Sequence, residues 1–233
     1  MRRKQLLIFT AYAVMCLLLI GSLTSCVPSS NRRDCVVMLG DSIFALSGAE
    51  TRYLEEMSGQ TYRTYYVSGA QLEGGMIGDI EDQYDRAARA GKIRTIIIDG
   101  GGNDYLMGGC GNPEALEREI IAAWTRILDK AARDGVENMV VQGYYLTAST
   151  PDGDVADYDA LAKNLEDGGA SRGINLVYVD PNKDSWFSSK RPGQYTLADG
   201  IHPTNAASKE LARLVWTAMQ ENDMEQGEGC QGF

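Results

Sequence analysis

The sequence has one histidine, His202, in 233 residues, so any chemistry that needs an imidazole has a single candidate. It is also short of positive charge. Lysine and arginine number 22 against 32 acidic residues, giving a net charge of −10 and a pI near 4.7. An acidic body repels phosphate backbones, which excludes nucleic acid as a partner. Cysteine is sparse, at five residues, and its spacing fits no zinc pattern. The glycine run Gly100-Gly101-Gly102 lacks the Lys-Ser/Thr ending of a phosphate-binding loop and the spacing of a dinucleotide fingerprint. No internal repeat and no second domain are visible.

One long apolar run exists, and it lies at the N-terminus. Arg2-Arg3-Lys4 precede Leu6 to Ile20, and Leu23-Thr24-Ser25-Cys26 close the segment. The run is short for a membrane span and ends in small residues, as an export signal does. The Leu-Thr-Ser-Cys ending resembles the bacterial lipoprotein signal, in which the cysteine is lipid-modified and becomes the mature N-terminus. That resemblance implies a signal peptide over 1–25 and a lipidated Cys26, followed by a tether to residue 33; a folded domain over 34–222 and a polar tail over 223–233 are expected to follow. A plain signal peptide or a single membrane anchor is the alternative. Losing residues 1–25, with three basic and no acidic residues, takes the net charge from −10 to −13. The lipoprotein resemblance implies a cell-envelope location with the membrane as partner through the lipid. Val27, not aspartate, follows the cysteine, which favours the outer membrane in a Gram-negative host. Cys35, Cys110 and Cys230 remain in the body; three thiols cannot all pair within one chain, and the sequence leaves their pairing open.

Beyond the tether, short apolar runs alternate with helical patterns. The runs Cys35 to Leu39, Tyr62 to Val67, Ile93 to Ile98, Val136 to Val141 and Ile174 to Val179 mostly lack polar alternation, as in strands covered on both faces. The clearest helix has Asn112 as cap, Pro113 in its first turn and Gly135 as its stop. Gly78 to Ala90 and Asn205 to Met219 also show helical spacing, 157–167 more weakly. Stretches 143–156 and 181–199 are expected to be loops. The alternation predicts a three-layer α/β/α architecture around a parallel sheet of about five strands.

The polar motifs fall where those strands end. Val36 to Leu39 runs into Gly40-Asp41-Ser42, Tyr65 to Val67 into Ser68-Gly69, and Ile96 to Ile98 into Asp99 and Asn103-Asp104. In a parallel sheet these ends share one edge, outside which ligands bind. His202, in Asp199-Gly200-Ile201-His202-Pro203, sits between the last strand and the last helix. A serine hydroxyl needs an adjacent base to attack an acyl carbonyl, and imidazole suits that task. The expected roles are Ser42 as nucleophile, His202 as base and Asp199 as its orienting partner. The Ser42 and Gly69 backbone N–H groups and the Asn103 amide are the expected oxyanion donors, with Gly74 or Gly75 as alternatives to Gly69. Asp41 and Asp104 are read as structural. Tyr144, Tyr145, Trp186, Phe187 and Tyr195 either line an acyl or sugar pocket or pack the loops.

These residues resemble the SGNH hydrolases, the GDSL esterase/lipase superfamily. Its four marks are a serine in Gly-Asp-Ser, a glycine after the second strand, an asparagine in Gly-x-Asn-Asp and a histidine in Asp-x-x-His. They fall here on Ser42, Gly69, Asn103 and His202, in that order, from Val36 to about Pro203. Ile43 stands where leucine is common. The resemblance implies a flavodoxin-like sheet, no metal or cofactor, and hydrolysis of small acyl esters, lipids or acylated carbohydrates through an acyl-enzyme. A glycan or lipid ester is then the expected substrate. Two other readings are an acyltransferase using a sugar or lipid acceptor at the same site, and a surface-binding lipoprotein without catalysis.

Overall fold

The computed structural model describes residues 32–46, 48–72, 74–75, 77–107, 113–147 and 155–224. Five strands, β1 (Arg32–Leu39), β2 (Thr61–Thr64), β3 (Thr95–Ile98), β4 (Asn138–Gln142) and β5 (Asn175–Val179), form one parallel sheet in the order β2-β1-β3-β4-β5. Among the described residues eight helices accompany them: α1 (Ser42–Ala45), α2 (Ala49–Ser58), α3 (Ile80–Ala90), α4 (Gly102–Met107), α5 (Pro113–Arg133), α6 (Val155–Ala170), α7 (Ser185–Ser188) and α8 (Asn205–Glu221).

Period-two alternation along the strands divides the core into two layers. Val37, Leu39, Ile96, Ile98, Met139 and Val141 face α3, α5 and α6 through Tyr84, Trp124, Ile127 and Leu165. Val36, Met38, Ile97 and Val140 face α2 and α8 through Leu54, Ala212, Val215 and Met219. Each fully buried aliphatic side chain stabilises by about 2 kcal/mol, which holds the helices on both faces. The expected three-layer arrangement is present.

Strand centres match the sequence expectation and their ends differ by a few residues. β2 ends at Thr64, but the chain stays alongside β1, with Tyr65 N–H donating to Met38 O at 2.9 Å and Val67 N–H to Gly40 O at 3.1 Å. The expected loop 181–199 contains α7 and two 3₁₀ turns, Pro181–Lys183 and Pro192–Gln194. Side-chain carboxylates cap its turns, Asp180 at Asn182 N–H and Asp184 at Trp186 N–H. Cys35 is buried at the start of the sheet and disulfide-bonded, and the other four cysteines lie outside the described residues. The export signal, Cys26, the Asn112 cap and the end of the tail also lie outside them.

The strands present a level row at their carboxyl ends, where Leu39 pairs with Ile98, Ile98 with Val141 and Val141 with Tyr178. After β1 the chain turns outward to β2, and β3 then lies on the other side of β1. A crevice opens where strand order reverses in this way.

Candidate active site

Ser42 is the first residue of α1, a one-turn helix at the exit of β1. Asp41 caps it, accepting from Ile43 N–H at 2.9 Å. The exit is locked from both sides. Gln83 of α3, itself buried, accepts from Gly40 N–H at 2.7 Å and donates to Gly40 O at 2.9 Å. Asp99, at the end of β3, accepts from Asp41 N–H at 2.7 Å. Glycine is required at position 40: its φ is +146°, and a Cβ there would sit 1.9 Å from Asp99 Oδ1. The Gly-Asp-Ser motif thus has a packing reason as well as a chemical one.

Asn103, in the first turn of α4, donates from Nδ2 to Ala70 O at 2.8 Å and approaches Asp41 Oδ2 at 3.4 Å. Asp104 accepts from Leu72 N–H at 3.0 and 3.2 Å, so α4 is fastened to the loop carrying Gly69. The structural reading of Asp41 and Asp104 accords with these bonds. Gly69 has φ +81° in its turn. Neither its N–H nor that of Ser42 has a hydrogen-bond partner among the described residues.

His202 belongs to a closed loop. Leu197 N–H donates to His202 O at 2.7 Å, Thr204 N–H donates to Tyr195 O at 2.8 Å, and Thr196 bridges Pro203. Within it, Asp199 accepts from Ile201 N–H at 2.9 Å, His202 N–H at 3.0 Å and His202 Nδ1 at 2.7 Å. The two backbone donors, the Ile201 amide foremost, and the imidazole lower the Asp199 pKa to about 2. An ionised carboxylate has no proton to give, so Nδ1 carries the hydrogen and Nε2 is left as an acceptor.

Tyr145 ties the loop of His202 to an apolar cluster. Its hydroxyl donates to Ile201 O at 2.6 Å, and its ring shares an apolar cluster with Ile43, Phe187, Tyr195 and Leu211. No hydrogen bond joins Ser42 Oγ to His202 Nε2 directly. Such bonds are often long before substrate binds. Burial pushes the Asp41 pKa up; the Ile43 N–H, the Tyr144 hydroxyl and the charge of His202 oppose that rise.

Aromatic residues of the two long segments divide by role. Tyr145, Phe187 and Tyr195 are buried and pack on one another, with centroids 5.3 to 5.7 Å apart. Trp186 packs edge-on against Phe187 at 4.9 Å, under Lys190. Loop packing therefore describes this group. Tyr144 differs: its hydroxyl donates to Asp41 Oδ2 at 2.7 Å, and its ring covers Gly102, where a Cβ would lie 2.8 Å from Cζ. Sequence reasoning missed that contact, and it missed Gln83, Asp99 and Glu50. Asp99 stands after β3 much as Asp41 stands after β1, a signal that was available. Burial, then the charge of Asp41, drives the Asp99 pKa well up, and burial does the same to Glu50, which Gln142 approaches at 3.4 Å. Among the described residues no cluster of histidine, cysteine or carboxylates is arranged to hold a metal.

The sequence matches the GDSL-like lipase/acylhydrolase family over residues 38–209. The chain belongs to this family. It is accordingly a hydrolase of ester bonds. No curated protein matches it in sequence. Solved structures share the fold of this acylhydrolase. An α/β hydrolase, LAE5, from the metagenome of Lake Arreo is 15% identical, with a TM-score of 0.62 over 84% of this chain and 97% of its own. An acetyl xylan esterase, AlAXEase, is 13% identical, with a TM-score of 0.60 over 78% and 98%. A GDSL-like lipase from Bacteroides thetaiotaomicron is 16% identical, with a TM-score of 0.53 over 91% and 97%.

Proposed function

We propose that this acylhydrolase cleaves carboxylic esters through an acyl-enzyme on Ser42. His202 Nε2 takes the Ser42 proton as Oγ attacks the ester carbonyl, and returns it to the departing alcohol. Water then attacks the acyl-enzyme by the same proton relay in reverse. Asp199 fixes the imidazole tautomer and stabilises the imidazolium. The N–H groups of Ser42 and Gly69 and the Asn103 amide stabilise the oxyanion, each worth on the order of 3 kcal/mol of barrier. Gly69 suits this better than Gly74 or Gly75, because Asn103 is hydrogen-bonded to the residue next to Gly69. The observation that carries the proposal is the Asp199–His202 pair at 2.7 Å, which leaves Nε2 free as a base.

The test is hydrolysis of p-nitrophenyl acetate by Ser42→Ala and His202→Ala. Each should abolish turnover while leaving the unfolding midpoint near wild type, and full activity in either would overturn the assignment. The same intermediate could pass its acyl group to a sugar or lipid hydroxyl. Products formed with a sugar acceptor present distinguish transfer from hydrolysis.

We further propose that residues 1–25 are a lipoprotein signal peptide and that lipid on Cys26 anchors the enzyme in the cell envelope, at the outer membrane of a Gram-negative host. The support is the order of basic start, apolar run and cysteine. Metabolic labelling with a palmitate analogue tests it, and label retained by Cys26→Ser would contradict it.

A further inference from the structure

Four carboxyl groups are buried at the carboxyl edge of the sheet: Asp41, Glu50, Asp99 and Asp104. Asp99 follows β3 and Gln142 ends β4; Ile98 pairs with Val141, so these two stand side by side. Alternation from Ile97 and Val140 turns both toward the face covered by α2. Glu50, in the first turn of α2, meets them there, its Oε2 lying 3.4 Å from Gln142 Nε2. Donors are shared unequally among these acids. Asp41 takes the Ile43 N–H, the Tyr144 hydroxyl and, at 3.4 Å, the Asn103 amide. Asp104 takes the Leu72 N–H on both oxygens. Asp99 takes one N–H, on Oδ1, and Glu50 only the long Gln142 contact. Among the described residues, Asp99 Oδ2, Glu50 Oε1 and Gln142 Oε1 are buried with no hydrogen-bond partner, and neither Asp99 nor Glu50 joins an ion pair. Acceptors buried without a donor are unfavourable, and so is an unpaired buried anion. A proton on Asp99 and another on Glu50 relieve both.

We propose that Asp99 is a positioning residue for Ser42 and acts as a neutral carboxylic acid, Oδ1 accepting from the Asp41 N–H while Oδ2 carries the hydrogen that the neighbouring oxygens lack. The inference rests on the reading of Ser42 as the nucleophile. Two backbone N–H groups flank Ser42 in the chain. That of Asp41 is held by Asp99 at 2.7 Å and that of Ile43 by Asp41 at 2.9 Å. Asp99 therefore fixes the peptide that leads into the turn on which Ser42 stands. An anion in its place would repel the Asp41 carboxylate that caps this turn; a neutral acid holds the same N–H without that repulsion. The titratable groups facing Asp99 are Asp41 at the β1 exit, Glu50 on α2 and Tyr144 after β4, all of them acids. Burial, then the charge of Asp41, moves Asp99 toward its protonated form, and Glu50 adds to this while the Asp41 N–H opposes it.

The experiment compares Asp99→Ala with Asp99→Asn in the full-length protein, using p-nitrophenyl acetate. Asparagine reproduces the neutral acid, with an acceptor on one side and a donor on the other, whereas an anion has no donor. Asp99→Ala should lower kcat by at least about thirtyfold with KM within about twofold, and Asp99→Asn should recover about tenfold of that loss. The infrared difference spectrum of wild type against Asp99→Asn at neutral pH should show the carbonyl band of a protonated carboxyl, lost in the variant. Wild-type kcat in Asp99→Ala, equal losses in both variants, or a raised KM at constant kcat would overturn the positioning role. A difference spectrum with carboxylate bands and no protonated one would overturn the neutral acid. If Asp99→Ala does not fold, a kcat in Asp99→Asn within about threefold of wild type, with the protonated band lost, supports the proposal, and a larger fall overturns it. Ser42→Ala run alongside separates the two levels. Hydrolysis that needs Ser42 but is indifferent to Asp99→Ala refutes the Asp99 role alone, and hydrolysis that survives Ser42→Ala refutes both.

Discussion

Tyr144→Phe isolates the least expected contact of the site, because it removes one oxygen and keeps the ring over Gly102. The hydroxyl donates to Asp41 Oδ2 at 2.7 Å, and Asp41 is 2% exposed. A hydrogen bond to a buried carboxylate is worth about 1.5–3 kcal/mol. For a domain of this size each 1 kcal/mol moves the melting temperature by about 2–4 °C, so a fall of roughly 3–12 °C is expected. The functional effect has another route. The hydroxyl is among the groups that oppose the burial-driven rise in the Asp41 pKa. Without it, Asp41 is protonated more readily, and its hold on the Ile43 N–H and its pairing with Asn103 both weaken. Ser42 and Asn103 then lose registry, so kcat should fall by about tenfold with KM within about twofold. The loss should deepen as pH falls. Steady-state kinetics between pH 5 and 9, beside thermal unfolding, read both effects. Unchanged kcat with an unchanged melting temperature would refute the reasoning, and a raised KM at constant kcat would make Tyr144 a substrate contact instead.

Asp199→Asn should lower kcat by on the order of a hundredfold, because the imidazolium loses its anionic partner and the tautomer is no longer fixed. A kcat near the wild-type value would contradict the role given to the Asp199–His202 pair. In wild type Asp199 itself, with its pKa at about 2, contributes no break near neutrality. Gly40→Ala should cost at least about 3 kcal/mol in urea unfolding or prevent folding, since the new methyl would lie 1.9 Å from Asp99 Oδ1 at a φ of +146°. A near-neutral result would mean that the β1 exit relaxes freely. Glu50→Gln probes a buried acid whose folded pKa burial has raised. Burial raises the folded ionisation above that of the unfolded side chain, so between the two the folded state binds more protons and wild-type stability falls as pH rises. The glutamine variant lacks that contribution and should gain on wild type between pH 4 and pH 8 in urea midpoint; identical pH slopes would refute a neutral Glu50.

Much of the fold was legible because its signals are local and redundant. Ile96, Ile97 and Ile98 are apolar without alternation because both sheet faces are covered, and α8 is written in the spacing of Leu211, Val215 and Ala218. The short helices were less legible. α1 and α4 are too brief for a periodic pattern, and their stability comes from the Asp41 cap and from Asp104 bonding Leu72 N–H across the chain. The motif residues stood out because each follows a strand. What sequence could not convey is the set of contacts behind them: Gln83 clasping Gly40 from 43 residues away, or Tyr144 reaching Asp41 across 103. Nothing local in the chain encodes such pairings; the sheet order creates them. Aromatic character alone likewise could not separate Tyr144, whose hydroxyl serves the site, from Phe187 and Tyr195, whose rings fill the loop core.

The central claim is that Ser42 becomes a nucleophile through His202. Intact mass after treatment with a fluorophosphonate, followed by peptide mapping, tests it most directly. The account predicts one adduct, on the peptide containing Ser42, formed far more slowly in His202→Ala and absent in Ser42→Ala. An unmodified protein, or an adduct on any other residue, would contradict it.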